Sequence, residues 1–94
     1  MEIKIIRTDG KQEAHTLKPN RATIGACAKL IGADTLDVVS LRDGRVMLVD
    51  DTGMIDGKPI NREATKLYHD VRNTTNTIYG DVIIATDADF GLDG

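Results

Sequence analysis

The stretch Thr35-Leu36-Asp37-Val38-Val39-Ser40-Leu41-Arg42-Asp43-Gly44-Arg45-Val46-Met47-Leu48-Val49-Asp50 reads as two β-runs joined by a turn. Asp43-Gly44 supplies the turn, because a tight hairpin needs positive φ and Gly reaches it cheaply. The run 45–50 is apolar at four successive positions, Val46 to Val49. Neighbouring strand residues point to opposite faces, so this strand is expected in the sheet interior, buried on both sides.

Upstream, residues 2–8 form a predicted strand with β-branched Ile3, Ile5 and Ile6, followed by a second turn signal, Asp9-Gly10. Residues 12–17 are mostly polar and suit an exposed or edge strand. Lys18-Pro19-Asn20 breaks the pattern, with Asn20 as an expected helix N-cap. Ile24, Cys27, Ala28 and Ile31 then recur at helical spacing, and Gly32 is the expected stop.

Downstream, residues 51–60 read as a loop with Gly53, Gly57 and Pro59. Asn61 is placed to cap a helix running to about residue 72, whose buried face is Ala64, Leu67, Tyr68 and Val71. Residues 81–85 form a fifth strand around Val82-Ile83-Ile84. Residues 86–94 are an acidic tail that Phe90, the only phenylalanine, is expected to pin to the body. The predicted order is ββαββαβ in one domain spanning 1–94. The expected class is α+β: a mostly antiparallel sheet of about five strands with two helices on one face. That layout leaves the other face exposed or buried in a homo-oligomer.

Composition narrows the function. The 94 residues are 40% apolar but only 3% aromatic, so the core must be aliphatic. The net charge of −3 with no basic run argues against binding a nucleic-acid polymer through its backbone. A single cysteine excludes an internal disulfide. No stretch approaches the ~20 apolar residues of a membrane span, and the short N-terminal apolar run does not fit a signal peptide. A cytoplasmic location is the expectation.

Few residues carry chemistry. His15, His69 and Cys27 lack metal-ligand spacing, so no metal and no cofactor are expected. Cys27 falls on the apolar helix face, where a buried structural thiol is the simpler reading. Asp50-Asp51 suits turn chemistry better than an acid–base pair, since adjacent strand residues face apart. Ser40, the only serine, sits in a predicted strand without triad partners. Gly57-Lys58 lacks the pattern of a phosphate loop. No catalytic residue is assigned, and the chain is not expected to be an enzyme. The second helix is more suggestive. Arg62, Lys66 and His69 share one face, with Lys58 and Asn61 beside the helix start, where free N–H groups favour an anion. A solvated face with Lys66 paired to Asp70 is the competing reading.

Ile31-Gly32-Ala33 before a strand, the run from Leu41 to Asp51, then Gly53, Gly57-Lys58-Pro59, Asn61, Ala64-Thr65, Leu67-Tyr68 and Ile78-Tyr79-Gly80-Asp81-Val82-Ile83-Ile84, together resemble a known family. Its members are short proteins without assigned activity, carried by phages, plasmids and integrative elements. The resemblance runs from about Ile31 to Ile84. It implies mobile-element origin and a bacterial host cell, and supplies no catalytic residues. Two expectations follow. The first is a binding protein that counters host defence by sequestering a nucleotide immune signal in a cationic pocket of Lys58, Asn61, Arg62, Lys66, Arg42 and Arg45. The alternative is a module that binds, and so inhibits or recruits, a host protein.

Overall fold

The computed structural model describes residues 2–16 and 23–86, apart from the side chains of Thr23, Ile24 and Asp43. The elements are β1 (Glu2–Ile6), β2 (Gln12–Thr16), α1 (Thr23–Leu30), β3 (Leu36–Ser40), β4 (Arg45–Asp50), α2 (Arg62–Val71) and β5 (Val82–Thr86). The ββαββαβ order of an α+β chain is therefore observed. The five strands form one antiparallel sheet in the order β2-β1-β5-β4-β3. β5 joins the two hairpins by pairing β1 at Ile5↔Ile83 and β4 at Leu48↔Ile83. The Asp43-Gly44 connection is a short 3-10 turn, Arg42–Gly44, closed by Leu41 N–H donating to Arg45 O at 2.8 Å. The expected Asn20 cap and the acidic tail beyond Thr86 lie outside the described residues.

One feature of the expected layout is corrected: the helices do not share a face. α1 buries Cys27 and Ile31 on Ile3, Ile5, Val46, Leu48, Ile83 and Ala85. α2 buries Ala64, with Leu67, Tyr68 and Val71 beside it, on Ile6, Val39, Met47, Val49, Val82 and Ile84. These sets alternate along β1, β4 and β5, so they lie on opposite sides of the sheet. The reason is the run of consecutive apolar residues in β4 and β5, to which β1 adds only the pair Ile5-Ile6. A strand apolar on both faces needs cover on both. Burying a large aliphatic side chain contributes about 1.5–3 kcal/mol, and Ile5, Met47, Leu48 and Ile83 are all fully buried. A homo-oligomer is therefore no longer required to cover a bare face.

α1 ends at the expected glycine. Gly32 N–H donates to Lys29 O and Ala33 N–H to Ala28 O, the paired bonds of a Schellman stop. Among the described residues no helix is long and apolar enough to cross a membrane.

Candidate functional site

The motif residues converge on one corner, where β4, the 51–60 loop, the start of α2 and the start of β5 meet. Asp50 ends β4 with its side chain buried, on the α1 side of the sheet. Its Oδ1 accepts from Thr52 N–H at 3.0 Å and from the Thr52 hydroxyl at 3.2 Å, which turns the chain. Its Oδ2 meets the Lys58 ammonium. Burial pushes the Asp50 carboxyl up, but the Lys58 ammonium and the Thr52 N–H together outweigh it and hold it below the usual value. Lys58 also donates to Gly32 O at 2.8 Å and Ile31 O at 3.3 Å. A cation thereby caps the C-terminus of α1.

Asn61 works on the other side of this corner. Its Oδ1 accepts from Ala64 N–H at 3.0 Å, the expected N-cap. Its Nδ2 donates to Ile6 O at 2.9 Å and Gly80 O at 3.0 Å. Gly80 has φ 85°, and a Cβ there would meet Lys58 Cδ at 2.9 Å. A Cβ on Gly53 would meet Tyr79 O at 2.8 Å. Asp81 continues the network by accepting from Thr8 N–H and from Arg7 Nη1 at 2.8 Å. Arg7 also reaches Leu30 O and Glu13. Its hydrogen bonds, first to Glu13 and then to Asp81, raise its pKa further. Glu13 is lowered to about 2, by Arg7 first and by His15 second.

The six side chains considered for an anion pocket are thus distributed, not gathered. Lys58 belongs to the α1 stop and Asn61 to the α2 cap. Arg42 Nε donates to Asp70 Oδ2 at 2.7 Å, and Arg42 also reaches the Asp70 carbonyl. Lys66 pairs with Glu63 at 3.4 Å in place of the expected Asp70. Arg45 lines a shallow apolar shelf of about 270 Å³ with Lys4, Ala14 and Ile84. Arg62 lines a cleft of about 400 Å³ with Asn61, Arg7 and Thr8, but Asp9 and Glu63 line it too. His69 donates to Asn76 O at 2.6 Å and so ties α2 to the 73–77 segment.

A groove of about 500 Å³ lies elsewhere and carries the opposite charge. Its walls are Tyr68 of α2, residues 75–79, Val49 and Asp37, with Asp51 and Met54 on the loop side. Asp37 and Asp51 are exposed. Beside it Met54 is 66% exposed and Ile55 81% exposed. None of the six candidate residues lines this groove. The sequence carried one signal for it, the adjacent apolar pair Met54-Ile55 within a polar loop. Cys27 is buried, and burial raises its thiol pKa. Among the described residues no group of three or more His, Cys, Asp or Glu side chains is placed to hold a metal ion.

This corner depends on residues spread from Arg7 to Asp81, and the family match spans them all. A family described as a domain of unknown function, DUF3846, matches residues 1–92. The chain belongs to that family. The match takes in the N-terminal strands of this DUF3846 chain as well as the stretch from Ile31 to Ile84, and it names no catalytic family. Comparison with curated proteins and with solved structures returned no match.

Proposed function

We propose that this DUF3846 chain is a non-catalytic binding module whose ligand is a protein, held in the acidic groove beside the Met54-Ile55 tip. The observation that carries the reading is the pairing of those two features. Large aliphatic side chains held in water at a loop tip have little polar solvation to lose on docking, and the burial gained when a partner covers them offsets their lost rotamer freedom. A rim with Asp37 and Asp51 selects for cationic side chains on that partner. The setting we propose is a host cell that carries a phage or related mobile element, with a host protein as the target to inhibit or recruit. What supports that setting is the resemblance of the ordered motif set from Leu41 to Ile84.

A second reading keeps the nucleotide ligand. Arg62 beside the start of α2, facing the cleft with Arg7, favours it. Asp9 and Glu63 in the same cleft weaken it.

One experiment separates the two. Purified protein is incubated with bacterial lysate and, in parallel, with a panel of cyclic and linear signalling nucleotides. The expected result is a protein retained by the wild type and lost from Ile55→Asp, with every nucleotide undepleted. A nucleotide released intact by heat, and no longer bound by Arg62→Ala, replaces this reading with sequestration. A chemically altered nucleotide reveals an enzyme.

A further inference from the structure

Among the described residues β3 is the last strand of the sheet, paired only to β4. Its register fixes which backbone groups face outward. Asp51 N–H donates to Thr35 O at 3.2 Å and Leu41 N–H to Arg45 O at 2.8 Å, so residues 35 and 41 bond inward. The alternation of an antiparallel ladder then turns residues 37 and 39 inward, and turns Leu36, Val38 and Ser40 outward. An outward row of this kind is a template for another strand.

The edge is guarded at its centre. Val38 donates its outward N–H to the Asp37 carboxylate at 2.9 Å. Asp37 is exposed and stands on the groove side of β3, the face that also carries Val49. The Val38 side chain is on the opposite face and 37% exposed. A strand laid along β3 would set one side chain against Val38 and the next against Asp37. The first position favours an aliphatic group and the second a cation.

We propose that the partner of the acidic groove binds as an added β-strand on β3, through an extended segment that alternates aliphatic and basic residues. This rests on the reading of the groove as a protein-binding surface and names the form its ligand takes. The basic side chain enters the groove beside Asp37 and Asp51. It draws the Asp37 carboxylate away from Val38 N–H, and that N–H then pairs with the incoming backbone. Asp37 therefore acts as a lock that a cation opens. A second copy of the chain is a poor occupant, because the net charge of −3 and Asp37 itself are repeated on it.

The test uses the full chain and a short synthetic peptide of alternating Lys and Val. Its controls are an alternating Glu and Val peptide, and the Lys peptide with one edge of its amides N-methylated. Amide exchange is followed by NMR. Binding of the Lys peptide is expected to slow exchange at Ser40 by about tenfold, a factor within reach of one added hydrogen bond, and to change Val38 less, since its N–H exchanges the Asp37 carboxylate for the peptide backbone. The Glu peptide and the N-methylated peptide are expected not to bind, and Asp37→Asn is expected to weaken the Lys peptide several-fold. If the N-methylated peptide binds equally and shifts Tyr68 and Met54 without protecting Ser40, strand addition is overturned and groove binding stands. If no peptide binds at millimolar concentration, strand addition is overturned, and the groove reading is decided by lysate capture alone.

Discussion

Replacing Asn61 by Ala removes the bonds to Ala64 N–H, Ile6 O and Gly80 O together. Loss of a cap costs about 1 kcal/mol, and each buried carbonyl left unpaired adds about 1–3 kcal/mol. Urea unfolding of Asn61→Ala should therefore show a loss of about 3 kcal/mol or more, by the same magnitudes. Lys58 offers a stricter test. Lys58→Met leaves Asp50 buried without its cation and should cost about 3–5 kcal/mol, whereas Asp50→Asn with Lys58→Met should recover most of that loss. A double mutant no more stable than Lys58→Met alone would contradict the ion pair. Acid adds a third check. The Glu13 and Asp50 carboxyls are both held below their ordinary values, so the folded state binds these protons less readily than the unfolded one. Their stabilisation is present above the unfolded carboxylate range, near pH 4, and is lost as pH falls through the folded values. For Glu13 that window runs from 4.5 down to about 2. The urea midpoint should fall across this window, and less steeply in Glu13→Gln. Most of these residues were legible as types before their partners were known. Asn61 reads as a cap from its position before a helical period. Lys58 reads only as a free cation, because its three partners on Asp50, Ile31 and Gly32 become neighbours through the crossing of the 51–60 loop.

The elements were legible wherever local chemistry decides them. β4 (Arg45–Asp50) has its predicted bounds, and α2 (Arg62–Val71) starts beside its predicted cap. The Asp9-Gly10 turn joins β1 to β2 in register, Ile6↔Gln12. Helix placement differs from the expectation for a physical reason. The sequence shows that β4 and β5 carry consecutive apolar residues and so need cover on both faces, but which helix covers which face follows from the connections. β5 sits between the two hairpins, and the helices divide between the faces. This arrangement bears on α1. Its Cys27 packs on Ile3, Ile5 and Leu48 with the thiol pKa raised by burial. A thiol reagent such as DTNB should modify native protein slowly and urea-unfolded protein at once. Rapid modification of the native chain would mean that α1 does not lie flat on the sheet.

At the scale of the whole molecule, the motif residues serve the architecture and leave the binding surface to others. Asp50, Lys58, Asn61, Gly80 and Asp81 join α1, α2, β1 and β5 in one corner. The groove is built from less conspicuous residues: Asp37 at the sheet edge, Asp51 and Met54 in the loop, and Tyr68 on α2. The cations near the start of α2 have a familiar chemistry that their spacing alone displays. The acidic groove has no such local signature, because its walls come from four separate segments that meet only on folding. Salt should then weaken partner binding, since attraction between exposed charges is screened within about 10 Å at 0.1 M. Binding unchanged between low and high salt would remove Asp37 and Asp51 from the recognition.

The most direct measurement is photo-crosslinking in bacterial lysate, with a photoreactive amino acid placed at Ile55 or, as the control, at the exposed Lys29 of α1. A discrete adduct with one protein is expected from position 55 and not from position 29, and it should fade when Asp37 and Asp51 are both changed to Asn. The same adducts from both positions, or none from position 55, would contradict the groove as the working surface of this protein.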